Sequence, residues 1–358
     1  MLAFSHPSKE TPVTRPKITR QSDIARLAGV SQATVSMVLN DRAGANRIPE
    51  STQARIREAM AELGYVPNIA AQSLRGGRNG LIGVHTFERV FPVSPEDYYH
   101  AFLNGIEEQA VEAGLDLVLF ASTQRPDGTR TIYGNGSNRM RLADGAIILG
   151  FEKNDDEIRR LESEGFPFVF IGHREVPGVE IPFVTADYAD AMGPVVDLLV
   201  TAGHRSVVYL AAPVRGLPQI ERLEGFERAA AATSIEGFAL HVRDVDEVST
   251  DWLGSVRRSG ATAIVVETYE LARALAAALD DAGLSAPNDL SVISLDSDPR
   301  GDSRFSHVNV PRREMGRRAV TLLLAVIDAD GSRSIAPVRC TPPGHESVSA
   351  PARSSEPV

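Results

Sequence analysis

From Leu81 onward the chain repeats one alternation, a short run of apolar residues followed by a longer stretch with helical periodicity. The apolar runs fall at 81–86, 115–121, 145–149, 167–171, 207–211, 263–266 and 290–295, and the helical patterns at about 97–113, 155–164, 187–202, 218–233, 269–282 and 312–328. A strand that is apolar at nearly every position buries both of its faces. Parallel sheets covered by helices on each side meet that demand. These units are too many for one compact sheet, so the pattern predicts two similar α/β lobes. The length of 358 residues and 43% hydrophobic content suffice for that body and one further small domain.

The residues before Leu81 follow different rules. Between Ser22 and Asn40 the chain reads SDIARLAGVSQATVSMVLN. Ser22 is suited to cap a first helix whose Ile24, Leu27 and Ala28 lie on one face. Gly29 stands where that helix must turn left-handed, and Ser31 is suited to cap a second helix. A break of about three residues sets two helices at a steep angle. On the second helix Val35, Val38 and Leu39 share an inward arc, while Gln32, Ala33, Ser36 and Met37 point out. Such a helix fits the DNA major groove, where Gln pairs with adenine and small apolar groups touch thymine methyls.

Charge agrees with this division. The net charge is −10, yet residues 1–80 carry eleven Lys and Arg against six acids, which leaves −15 for the remainder. A basic head on an acidic body holds phosphates with one end only.

With these motifs in view, the chain from Ile18 onward resembles the LacI family of repressors. The segment 59–68 (AMAELGYVPN) is similar to the family's third helix and its exit, and 68–75 (NIAAQSLR) to its hinge helix. The resemblance implies that Thr19, Ser31 and Asn40 hold phosphates and that Gln32 and Ala33 read bases from the face that also carries Ser36 and Met37. It also assigns Asn68 and Ala71 to the DNA-bound hinge and makes Leu74 a wedge in the minor groove. Members usually have Arg at the place of Met37, and Met cannot make the bidentate guanine contact that Arg makes. Asn68 is placed to cap a hinge of about seven residues, too short to be a stable helix alone, so it is expected to fold when two copies meet on DNA.

For the body, the resemblance implies the periplasmic sugar-binding fold. Ligands in parallel α/β domains sit beyond the carboxyl ends of strands. That rule selects Asp296, His173, Arg174 and Thr268. Arg222 opens RLEGF, which is similar to the family segment whose Arg grips the effector. Among Phe87, Tyr98, Tyr99 and Phe102, Tyr98 is the chosen stacking partner for a sugar ring. His204, in a Gly-His-Arg that ends a helix, reads as structural. Where many members have Asn-Asp, this chain has Glu267-Thr268.

The expected fold is therefore α plus α/β. It has a tail (1–17), a lambda-repressor-like helix-turn-helix (18–66), a hinge helix and linker (67–80), a two-lobed effector and dimerisation body (81–345) and a disordered tail (346–358). The expected function is DNA-binding regulation, as a repressor, by a cytoplasmic homodimer on a palindromic operator, modulated by a small molecule, a sugar first of all. A nucleobase or a partner protein as effector is the alternative, and a solute-binding receptor a remoter one that the head and the missing signal peptide oppose. No phosphate loop, nucleophile elbow or metal spacing is seen, so neither enzyme activity nor a cofactor or metal is expected. The lone Cys340 fits a reducing compartment, and no apolar run reaches the roughly 20 residues of a membrane span.

Overall fold

The structure, a computed structural model, describes residues 19–39, 48–65, 78–87, 98–121, 130–150, 154–329 and 336–351. Its contacts divide the chain into two units, 1–79 and 80–358.

The first unit contains α1 (Gln21–Ala28), α2 (Gln32–Leu39) and α3 (Glu50–Glu62). Gly29 ends α1 with φ 63°, a conformation in which a Cβ would be strained. Ser31 caps α2 as expected, its Oγ accepting from the Thr34 amide at 3.1 Å. Ile24, Ala25, Ala28, Val35, Ile56 and Ala59 form the core, with Val38 and Leu39 against it. Two expectations fail at α1. The helix begins one residue before Ser22, and its first turn is closed by the Asp23 carboxylate accepting from the Arg20 amide at 3.0 Å. Leu27 is 46% exposed, and Ala25 is buried instead. Two neighbours, α2 and α3, contact α1, so its buried arc is the roughly 100° spanned by Ile24, Ala28 and Ala25.

The second unit holds two five-stranded sheets in which every pairing of strands is parallel. In the first, β1 (Leu81–Thr86), β2 (Asp116–Leu119), β3 (Gly145–Leu149), β4 (Phe168–Ile171) and β5 (Phe183–Val184) lie in the order β2-β1-β3-β4-β5. In the second, β6 (Ser206–Ala211), β7 (Gly237–Val242), β8 (Ala263–Val266), β9 (Ser291–Ser294) and β10 (Ser306–His307) lie in the order β10-β9-β8-β6-β7. The helices are α4 (His100–Glu112), α5 (Asp155–Ser163), α6 (Met192–Ala202), α7 (Leu217–Ala231), α8 (Thr250–Arg258), α9 (Tyr269–Asp281) and α10 (Arg312–Ile327). Strands β3, β4, β8 and β9 are buried at every residue, which is why they read as unbroken runs.

Although the last helix among the described residues, α10 packs on α4 and on the first sheet. The chain therefore crosses between the lobes three times, and bridges Ala186–Val338 and Asn309–Thr341 tie the crossings together. Helices α4 and α10 meet at glycines: a Cβ on Gly105 would stand 1.8 Å from the Arg313 carbonyl oxygen, and one on Gly316 2.2 Å from that of Phe102.

The strands β5, β7 and β10 and the helix α8 were not anticipated. β5 and β10 are two residues long, and β7 is a sheet edge with Leu240 and Val242 exposed, so none shows a continuous buried run. Nor does the body stop at 345. Ser347 is buried, donates from Oγ to the Val292 carbonyl at 2.5 Å and accepts from the Ser306 amide at 2.7 Å. The fold continues through 351 because these serines satisfy the backbone beside β9. His204 is structural: buried, it bridges Thr262 Oγ1 at 2.8 Å and Ser291 Oγ at 2.9 Å. Among the described residues no helix is long and apolar enough to cross a membrane, and no cluster of His, Cys, Asp and Glu could hold a metal.

Candidate functional site

In the first unit the outer face of α2 presents Gln32, Ala33 and Met37, with Met37 37% exposed and Ser36 half-buried beside them. Val35 on the opposite face is fully buried, which fixes the rotation of the helix. Ser31 Oγ and Thr34 Oγ1 share one hydrogen bond of 2.8 Å, so one of the two hydroxyl protons is left for an outside acceptor such as a phosphate oxygen. Thr19 is engaged differently from the expectation. Its hydroxyl donates to the Leu63 carbonyl at 3.2 Å, tying the start of the unit to the end of α3. The positions Asn40, Asn68, Ala71 and Leu74 lie outside the described residues.

In the second unit the carboxyl ends of both sheets open on one cleft. A cavity of about 260 Å³ runs from Gly150 and His173 in the first lobe to Arg215 and Pro218 in the second. A second, of about 220 Å³, is lined by Arg222, Thr268, Tyr269 and Asp296, and the two share Tyr98, Tyr99 and Pro218. Four of the six candidate residues line these cavities because they follow strands, His173 and Arg174 after β4, Thr268 after β8 and Asp296 after β9, while Tyr98 lines both from the start of α4. Arg222 reaches the same space from the second turn of α7.

The charges in the cleft are arranged in pairs. Asp296, 5% exposed, accepts from Arg312 Nη2 through both oxygens, at 2.5 and 2.6 Å, and from the Ser297 amide at 2.9 Å. The Arg312 guanidinium stands 4.5 Å from the centre of the Tyr98 ring. Burial raises the Tyr98 phenol above its usual pKa, so it stays protonated at neutral pH. Glu267 is fully buried under the cleft, held by Arg215 at 2.5 and 2.6 Å, the Tyr209 hydroxyl at 3.1 Å and the Ala212 amide at 3.0 Å. Arg174 meets Asp155 at 3.5 Å, and His173 stacks on Phe183 and meets Glu221 at 3.3 Å. Thr268 caps α9, its Oγ1 accepting from the Leu271 amide at 3.3 Å. Phe87 belongs to a core cluster of the first lobe with Phe120, Ile148 and Phe168 and lines neither cavity.

A family profile described as bacterial regulatory proteins of the lacI family matches residues 22–68, and one for a periplasmic binding protein-like domain matches 196–345. The transcriptional regulator MalR of Streptomyces coelicolor is 30% identical over 325 residues, 86% of this chain and 90% of its own. The chain belongs to the LacI family. It is a transcriptional regulator with a DNA-binding helix-turn-helix and a periplasmic-binding-protein-like body. The CelR regulator of Thermobifida fusca is 26% identical over 87% of this chain and 93% of its own. Among solved structures, the lac repressor dimer bound to operator and an anti-inducer superimposes with a TM-score of 0.69 at 21% identity, over 93% of this chain and 100% of that one. A CelR–cellobiose complex superimposes at 0.58 and 22% identity, with the same coverage.

Sequence reasoning about this LacI-family chain missed Arg312, Arg215 and Tyr188 in the cleft. Arg312 was detectable. It opens α10, where the helix dipole disfavours a cation, so its presence at that end calls for an anion nearby. Asp296 is that anion. Arg215 and Tyr188 left no such signal: they sit in connections and are brought in by the fold.

Proposed function

We propose that this regulator is a repressor that binds a palindromic operator as a homodimer and is released by a small molecule, a sugar, held between its two lobes. The observation that carries the reading is the burial of Arg222 and Asp296 at the carboxyl ends of the strands, beside aromatic rings in an open cleft. Such side chains donate to and accept from neighbouring hydroxyls, while a ring such as Tyr98 covers the apolar face of a pyranose. The relatives bear names that point the same way, MalR and a CelR–cellobiose complex. On the DNA side the reading gives base contacts to Gln32, Ala33 and Met37, phosphate contacts to Ser31 and Asn40, and the hinge contacts to Asn68, Ala71 and Leu74. Thr19 joins them only if its hydroxyl leaves Leu63.

A ligand moves a regulator between states only through its different affinities for them. The test is a gel-shift titration of operator complex against a panel of sugars and nucleobases, run with wild type and Arg222→Ala. The variant should bind operator normally and lose release, its ligand affinity falling about 30- to 150-fold. Normal release with normal thermal stability would remove Arg222 from the site and overturn the assignment.

A further inference from the structure

A buried ion pair joins the two lobes at the wall of the 220 Å³ cavity. Asp296 follows β9 of the second sheet and lines that cavity. Arg312 opens α10, which packs on α4 and on the first sheet. Both side chains are more than nine-tenths buried, and Arg312 Nη2 donates to both oxygens of Asp296, at 2.5 and 2.6 Å. The start of α10 is in turn fastened to the first lobe. Arg313 Nε donates to Glu108 at 2.8 Å and Arg317 Nη2 to Glu112 at 2.7 Å, both on α4, and the Gly105–Gly316 contact brings the two backbones together. The first lobe is also the one that the chain enters from the DNA-binding unit, at β1.

Two features make the Arg312–Asp296 contact exchangeable. A guanidinium facing a carboxylate can use two nitrogens in parallel, one for each oxygen. Here Nη2 alone serves both oxygens, and Nε is buried without a hydrogen-bond partner among the described residues. There is also room for the side chain to leave. Arg312 lines a further cavity of about 700 Å³, bounded by α4, the start of α10 and the loop after β9. Its carboxylates, Glu108, Asp298 and Glu314, outnumber its other arginines, Arg313 and Arg317, so a guanidinium that swings off Asp296 stays among acids. Asp296 itself borders the 220 Å³ cavity with Arg222, Thr268 and Tyr269. A ligand that donates hydroxyl protons to Asp296 from there competes with Arg312 for the same two oxygens, one of which already accepts from the Ser297 amide.

We propose that Arg312 is the positioning residue that couples effector to DNA: it holds Asp296 in the operator-binding state, and the effector releases operator by taking Asp296 from it. The inference rests on the reading that the inter-lobe cleft is the effector site and that the effector releases DNA, and it supplies the step between the two. With Arg312 on Asp296, α10 and the first lobe are tied to the second sheet. With the effector on Asp296 the tie is cut, and the lobes are free to change their closure. The effector gains its hold over DNA because it binds the untied form better than the tied one.

The test uses full-length protein, operator DNA selected from a randomised pool, and glucose, galactose, maltose and cellobiose as ligands. Operator affinity is measured by gel shift and ligand affinity by calorimetry, for wild type, Arg312→Gln and Arg312→Lys. Arg312→Gln has no charge with which to hold Asp296. Its operator affinity without ligand should fall to the value that wild type shows at saturating ligand, and added ligand should change it by less than about twofold. The same variant should bind the ligand about 10-fold more tightly, because no tether competes for Asp296. Arg312→Lys keeps the charge and should lie between the two. Weaker operator binding together with tighter ligand binding is not what a merely structural residue gives, since damage to the cleft weakens both. Melting temperatures report folding, and if Arg312→Gln does not fold, Arg312→Lys decides by the same opposed shifts. An Arg312→Gln protein that holds and releases operator as wild type does, or that binds ligand more weakly, overturns the coupling role. If no sugar of the panel releases wild type, the sugar-responsive reading fails, and operator affinity without ligand still decides the tie. A fall in Arg312→Gln that Arg312→Lys restores supports it, and an unchanged affinity overturns it.

Discussion

Met37 on α2 and His85 on β1 are the single residues at which base preference and acid sensitivity are to be tested. Met37 stands exposed beside Gln32 and Ala33 on the outer face of α2. A thioether offers no donors to guanine, so Met37→Arg should shift base preference toward guanine at one position per half-site without abolishing binding. A bidentate pair is worth about 1–3 kcal/mol of discrimination, and selection from a randomised operator pool would read it out. An unchanged preference would mean that position 37 faces away from the bases. In the body, His85 on β1 is buried, and burial, with the Arg130 charge adding to it, pushes its pKa from 6.5 down to about 4. The folded chain then keeps His85 neutral while the unfolded chain takes up a proton first as pH falls. Its contribution to stability is whole above about pH 6.5 and is lost progressively down to about pH 4, a loss of about 3 kcal/mol. Urea unfolding at pH 7 and pH 4 should show that loss in wild type and a smaller one in His85→Gln. Equal losses would place the acid sensitivity elsewhere.

At the level of elements, the joint between α4 and α10 is the most exacting contact of the first lobe. Gly105 and Gly316 bring the two backbones so close that any side chain must push them apart. Gly316→Ala should therefore destabilise by more than the 1–3 kcal/mol typical of overpacking, even though alanine is the better helix former. An unchanged or raised melting temperature would show that the helices separate freely. Nothing in the sequence marks this pairing, because Gly105 and Gly316 are far apart in the chain and only the crossing of α10 back to the first sheet joins them. The elements that were legible have local causes. β3 and β8 are buried on both faces and read as unbroken apolar runs, and Gly29 and Ser31 announce the turn between α1 and α2. In the cleft the same division holds. Asp296, Thr268, His173 and Arg174 were found because they follow strands, whereas the partner that neutralises Asp296 comes from the start of α10, a crossing away. Leu27 was misplaced because the face that α1 buries is decided by two neighbouring helices rather than by its own period.

For the whole molecule, assembly follows from what α10 has already spent. Its apolar residues Met315, Ala319, Val320, Leu322 and Leu323 are buried within the body. A tetramer built on a coiled coil needs a further helix with apolar a and d positions over several heptads. After Leu324 the sequence holds no leucine, and 347–358 is rich in proline and serine. Residues 325–358 therefore offer no leucine seam of that kind, and the proposed homodimer is expected not to pair again through them. Two-fold symmetry also matches two half-sites of a palindrome, and the charge division suits that geometry. Each copy places its excess of basic residues in 1–80 and its acids beyond, so phosphates attract one part of each copy and repel the other. Sedimentation equilibrium at micromolar concentration should return a species of twice the 38.5 kDa chain mass without operator, and that mass plus one duplex with it. A stable tetramer would show that a surface other than a terminal leucine seam pairs the dimers. A monomer that binds a single half-site would remove the two-fold operator from the proposed function altogether.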